Sequence, residues 1–302
     1  MNNKLAVAID AENWDNEETQ LIVLSQLMKE RKLTLVLGAG ISTPFGLPNW
    51  SQLLTNLIPK GKSPDLTGLS APLIASKIKV SYYDNDDASF AKAVKESIYK
   101  NFELSPLKLS NIPLLSAISA SIMNLAKQGT AHVINFNFDN LLEIYLKYHG
   151  FSVDAYDQAD SWASGNQVSI YHLHGYLPYD SSNNSPNIVF DQTSFTEVVS
   201  SQWNKKITQI TGSHFPVFIG ISGTDTHLHD LLRKIKADHP SRKTYNLPYN
   251  GIRFCRENDN VADILQTQMG IYSIKVKDYD DIPKILMKAC QLAATGKLTF
   301  TD

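Results

Sequence analysis

The sequence predicts an α/β protein: a Rossmann-like, mainly parallel sheet flanked by helices, with a mostly helical insertion. Three observations predict it. Short apolar runs alternate with helical spacings along the chain, the pattern of βαβ units. Four of those runs end in turns bearing Gly, Asn or His, where open α/β sheets place their ligands. Between the first two of the four lies 60–128, read as the mostly helical insertion.

Residues 17–31 read as an amphipathic helix, with Leu24, Leu27 and Met28 at helical spacing and charges at its end. Leu33–Leu37 is a buried strand. Trp50–Ile58 is a helix stopped by Pro59. Residues 60–80 hold Gly, Ser and Pro and read as a loop with a short helical piece. Ser89–Asn101 and Leu114–Lys127 are helices separated by two prolines. Ala131–Phe136 is a strand and Leu141–His149 a helix. Ser169–Leu173 is a strand running into His174-Gly175, and Asp180–Pro186 is a polar, mobile loop. Phe195–Trp203 is helical, Pro216–Ile221 a strand and Leu228–Ile235 a helix. Ile252–Cys255 and Tyr272–Val276 are strands, and Ile282, Ile285, Leu286 and Ala289 space a last helix.

Composition excludes several classes. Hydrophobic residues make up 43 % of the 302, enough for a substantial core, and no apolar run approaches the ~18 residues of a membrane span. The start is not a secretory signal. Net charge is −2 with no long Lys/Arg block, so there is no strong nucleic-acid signal. Cys255 and Cys290 make neither a disulfide framework nor a four-thiolate zinc site. A cytoplasmic protein is expected. The segment AVAIDAEN (6–13) looks like the first strand and acid of a small metal-dependent nuclease. The next strand begins too soon after it for such a domain to fit.

The first strand-end motif is Gly38-Ala39-Gly40-Ile41-Ser42, continuing through Gly46, Leu47, Pro48 and Trp50. Glycines allow a tight turn and close approach to a pyrophosphate; a plain βα turn is the other reading. The second is Asn135-Phe136-Asn137-Phe138-Asp139. Alternation puts its polar groups on one side, suited to ribose hydroxyls and a water, or else Asp139 caps the next helix. The third is Tyr171-His172-Leu173-His174-Gly175. A metal pair would need further ligands, the nearest being His227 and His229. His174 sits where a base would meet ligand, and His172 packs or makes a structural hydrogen bond. The fourth, Gly220-Ile221-Ser222-Gly223-Thr224-Asp225, is a second phosphate or ribose contact, or another capped turn.

In this order the four motifs resemble the sirtuin-like superfamily. The match is nearest to the bacterial sirtuin-like NADases of anti-phage defence, which carry GAGxS…GxPxW, T-x-N-[YF]-D, H-G and G-x-S-x-x-D. The resemblance covers about 33–235, and it implies one sirtuin-like domain over 1–302 with the insertion inside it. It implies that Gly38, Ala39, Gly40 and Ser42 hold the NAD pyrophosphate, with Pro48 and Trp50 of the same string among the binding residues. It places Asn137 by the nicotinamide ribose, Asp139 two positions on, His174 as base, and Gly220, Ser222 and Asp225 on the adenosine side. Asn135 stands where the family often has Thr. Deacylating sirtuins carry a zinc module of two C-x-x-C pairs, and this chain has no such pairs.

The implied activity is NAD glycohydrolysis, an NADase giving nicotinamide and ADP-ribose, with NAD as substrate and no metal. The expected role is abortive infection in antiviral defence. Asn137 would orient the water and a ribose hydroxyl. His174, with an ordinary imidazole pKa near ~6.5, would accept a proton, and Asp139 would hold hydroxyls. Control is expected in trans, through a homo-oligomer or a partner such as a HerA-type ATPase. The alternatives are an NAD-dependent protein deacylase and a non-catalytic NAD or ADP-ribose-binding module.

Overall fold

The computed structural model describes residues 14–126, 131–158, 166–181, 185, 188–238 and 247–296. The AVAIDAEN segment and most of the 180–186 loop lie outside the described residues.

Helix α1 (Glu17–Lys29) starts at Asn16, whose side chain accepts the Glu18 N–H, and two glutamates in its first turn suit the positive end of the helix. Strand β1 (Leu33–Leu37) is buried throughout. Helix α2 (Trp50–Leu57) begins at a reciprocal Asn49–Gln52 capping box. Then come α3 (Ala71–Tyr82), α4 (Asp87–Tyr99), α5 (Pro106–Ser110) and α6 (Pro113–Ala126). The chain continues through β2 (Ala131–Asn135), α7 (Leu141–Tyr148), β3 (Val153–Tyr156) and β4 (Val168–His172). After α8 (Gln192–Ser200) and α9 (Gln202–Ser213) come β5 (Phe215–Ile219), α10 (Thr226–Asp238), β6 (Gly251–Arg256), β7 (Ile271–Val276) and α11 (Ile282–Thr295).

The strands form one sheet in the order β3-β4-β2-β1-β5-β6-β7, with every neighbouring pair parallel. Set aside edge strand β3 and the order is that of a doubly wound Rossmann sheet. The chain leaves β1 toward β2 and β4, then returns to β1's other side as β5. The crevice between the ends of β1 and β5 is therefore the topological switch point, where such sheets bind ligands.

Alternation along the strands divides the core. Leu33, Leu35 and Leu37 of β1 face a layer made by α1, α6, α7 and α11. Val36 faces the other way, with Ile134 and Phe218, toward α9 and α10. A third apolar cluster caps the carboxyl edge, where α2, α3 and α4 pack on Phe138, Leu177, Ile188 and Phe190. Lys79 of α3 fixes this cap, reaching Asp191 at 2.7 Å and Asp87 at 2.5 Å.

Three local expectations change. Over 60–80, where a loop with a short helical piece is expected, α3 runs from Ala71 to Tyr82. Pro72 does not break it, because the first helical turn has no N–H bond to lose. Helix α6 packs into the layer beneath the sheet through Leu115, Ile118, Ile122 and Leu125, not into the cap. Strand β3 and helix α9 are additions. VDAY is short and only partly buried. Helix α9 buries Asn204, Thr208 and Thr211 beside Trp203 and Ile207, so its apolar spacing is interrupted by polar residues.

Candidate active site

A cleft of about 470 Å³ opens at the switch point, and all twelve residues selected from the sequence line it. Its first wall is the contact between the turns after β1 and β5. The Gly38 N–H donates to the Ile219 carbonyl and the Gly40 N–H to the Gly220 carbonyl, each at 3.0 Å. A Cβ on Gly40 would lie 2.7 Å from the Gly220 Cα, and one on Gly38 2.7 Å from the Gly220 oxygen. Gly220 itself has φ +72°, which side chains other than glycine rarely adopt. These glycines are thus required by one turn lying on another.

The same contact uses up donors. Ile41 and Ser42 N–H groups bond the Gly38 and Ala39 carbonyls. Ala39, the first residue of the short 3₁₀ turn (Ala39–Ile41), is left with an N–H that has no acceptor among the described residues. No lysine or arginine lines the cleft among those residues. An anionic ligand there would meet backbone N–H groups and hydroxyls.

The second wall is the end of β2. Asn137 donates its amide hydrogens to the Gly38 carbonyl at 3.1 Å and to Ser42 Oγ at 3.2 Å, tying the two strand ends together. Its backbone N–H goes to Asn135 Oδ1. Asn137 Oδ1 makes no bond among the described residues and remains an acceptor. Asp139 is buried; its Oδ1 accepts from Ser42 Oγ at 3.2 Å and from the Leu141 N–H at 3.1 Å. It therefore caps the start of α7 and lines the cleft as well. Burial pushes its carboxyl up to about 6, because the charged form loses its hydration.

The end of β4 supplies two histidines with different tasks. His172 is buried away from the cleft, its Nδ1 2.9 Å from the Asn137 carbonyl and its Nε2 2.5 Å from Glu143 Oε1. Burial alone would lower its pKa, but Glu143, the Asn137 carbonyl and Asp139 together outweigh burial and raise it. His172 and Glu143 thus hold the backbone of Asn137 from behind. His174 lines the cleft, but its Nε2 lies 2.5 Å from Nδ1 of His227. Burial lowers His174 to about 4 rather than leaving it at an ordinary imidazole value. Its ring is neutral near pH 7.

In the turn after β5, Ser222 is exposed to the cleft and bonds Thr224 Oγ1 at 2.8 Å. Asp225 caps α10, accepting the Leu228 N–H at 2.9 Å. Gly223 leaves room for the Arg253 guanidinium, which pairs with Asp259. His229 bonds the Gly223 carbonyl at 2.6 Å while His227 turns to His174. The histidines weighed as a metal pair thus have separate partners. Pro48 and Trp50 form the remaining wall, Trp50 packing on Phe190 at 4.3 Å between ring centroids.

Residues 131–271 match the family model described as a SIR2-like domain. Over that span the chain is similar to that family. A crystal structure described as a SIR2 homolog–NAD complex aligns with a TM-score of 0.49 and 12 % identity, covering 90 % of this chain and 94 % of that one. The SIR2-like span contains the ends of β2, β4 and β5. The Gly38–Trp50 string lies outside it, and the fold brings that string to the same cleft.

Sequence reading misses three contributors: Glu143, His227 and Arg253. Glu143 is buried with its neighbours Leu141, Leu142, Tyr145 and Leu146 of α7. His227 reads in sequence only as half of a possible metal pair.

Proposed function

We propose that this chain binds NAD in the switch-point cleft and hydrolyses its N-glycosidic bond, releasing nicotinamide and ADP-ribose. The observation that carries the reading is the convergence on one cleft of an N–H (Ala39) and an amide oxygen (Asn137) that have no partner among the described residues, a buried carboxyl (Asp139) and a neutral imidazole (His174). In the reaction the C1′–N bond breaks and its electron pair stays with nicotinamide, which leaves neutral. The sugar passes through an oxocarbenium-like state. Water adds to C1′ and loses one proton.

Each group has a part suited to its surroundings. The Ala39 N–H and Ser222 hydroxyl meet the pyrophosphate. Asn137 Oδ1 accepts a hydrogen from the incoming water and orients it. The Asp139 carboxylate opposes the positive charge on ring and sugar, an effect strengthened by its dry setting. His174 takes the proton.

Ala39→Pro isolates the first of these parts. Gly38 is extended, as a residue before proline must be, and Ala39 donates no internal hydrogen bond. The variant is expected to melt with the wild type and to bind ADP-ribose about 10–100-fold more weakly by calorimetry, the loss of one hydrogen bond to a charged group. Unchanged affinity would remove Ala39 from the site.

The activity itself is tested by chromatography of NAD incubated with the protein. Nicotinamide should appear, and Asn137→Ala should slow its release about 10²-fold or more. A folded Asn137→Ala variant as fast as wild type would overturn the assignment. An enzyme of this kind depletes the NAD of its own cell. We therefore include in the proposal restraint by homo-oligomer contacts or a partner such as a HerA-type ATPase, and a role in anti-phage defence.

A further inference from the structure

His174 meets a second imidazole that the reaction above does not use. His227, second residue of α10, is 6 % exposed and His174 3 %. Phe195 lies on the His227 ring at 3.9 Å between centroids, and Phe136 flanks His174 at 5.0 Å.

Counting protons fixes the arrangement. His174 Nε2 and His227 Nδ1, 2.5 Å apart, share one hydrogen. His227 Nε2 is buried with no partner among the described residues, so a hydrogen placed there would be an unpaired buried donor. His174 therefore carries its hydrogen on Nδ1, and its Nε2 accepts from the His227 Nδ1–H. The atom left over, His227 Nε2, is a bare acceptor with no partner among the described residues. The reverse arrangement would bury an unpaired N–H at His227 Nε2, the costlier outcome.

A third hydrogen on the pair is disfavoured. Burial and the neighbouring His174 hold His227 at about 3; the carboxylates of Asp225 and Asp230 and the Phe195 carbonyl favour a charge there without offsetting this. The amino end of α10 adds a repulsion that also disfavours the charge.

We propose that His227 is a positioning residue for His174. Its N–H fixes the His174 ring with the hydrogen on Nδ1, and it occupies Nε2 until a substrate hydroxyl or water takes its place. The second half rests on the NAD-cleaving reading; the first does not.

Isotope-labelled imidazole NMR on the full chain tests it. In the wild type, His174 should show its hydrogen on Nδ1 and no titration near the ordinary ~6.5. In His227→Phe the Nε2 signal should shift to that of an unbonded acceptor, and kcat for nicotinamide release should fall about tenfold or more with KM held. A base in the wrong tautomer loses up to ~10⁴. His227→Asn, which keeps an N–H at the Nδ1 position, should restore both readouts. A wild-type spectrum with the hydrogen on Nε2, or titration near ~6.5, overturns the proposal, as does a His227→Phe variant unchanged in both signal and kcat. The expected spectra in a protein that releases no nicotinamide would keep the positioning and sink the NAD-cleaving reading.

Discussion

Asp139→Asn is expected to stabilise the folded chain at alkaline pH while slowing nicotinamide release about 10²-fold or more. The amide keeps an oxygen for the Ser42 hydroxyl and Leu141 N–H and removes the buried charge. Burial raises Asp139 from an ordinary 3.8 to about 6. At ~1.4 kcal/mol per pKa unit, that charge costs the folded state on the order of 1–3 kcal/mol. Above the folded pKa the cost is full. As pH falls through about 6 the folded chain takes up the proton before the unfolded chain does, and the cost is gone once pH is below 3.8. Melting curves should therefore show the variant ahead by several degrees at alkaline pH and level with wild type in acid. His174 and His227 act in the opposite sense, since their lowered pKa values weaken the fold as pH falls below the ordinary imidazole range. They do so equally in both proteins and cancel in the difference. The wild-type rate should rise through about pH 6 as Asp139 ionises. An Asp139→Asn variant that is no more stable at alkaline pH, yet folded and fully active, would refute both the buried charge and its role.

Gly220→Ala should be the most damaging single-methyl change in the site. The residue sits at φ +72°, and its new Cβ would stand 2.9 Å from Gly40 Cα and Ile41 N, both backbone atoms of the facing turn. A left-handed conformation costs an ordinary residue ~1–2 kcal/mol, and overpacking adds ~1–3 kcal/mol. The sum, about 2–5 kcal/mol, should lower the melting temperature by roughly 5–15 °C and abolish ADP-ribose binding. Gly46→Ala is the control. It also has positive φ, but its Cβ would meet nothing within 4 Å, so it should lose only the conformational part. Equal losses in the two variants would show that the contact between the turns contributes nothing.

The fold was largely legible because strand ends are written in residues with few substitutes. The glycines Gly38, Gly40 and Gly220 and the polar residues Asn137 and His174 each follow a short apolar run, and the turns they mark set the strand count near the site. The reason for the glycines was not legible. In sequence they suggest room for a phosphate, whereas in space they make room for each other. A sequence cannot show which two loops touch until the strand order is known. The pairing of His174 with His227 was hidden for the same reason, the two being 53 positions apart. Glu143 was hidden by its surroundings: in LLEIYL an acid reads as a solvent-facing break, yet it is 1 % exposed and pairs with His172. Strand β3 escaped because an edge strand with Asp154 in the middle lacks an apolar run.

The most direct test of the central claim is a product mass spectrum. The full chain is incubated with NAD and an acetyl-lysine peptide in water labelled with heavy oxygen. Equimolar nicotinamide and ADP-ribose, heavy oxygen at the sugar's C1′ and an untouched peptide are the expected products. Intact NAD, or an acetylated ADP-ribose with the peptide deacetylated, would contradict the claim.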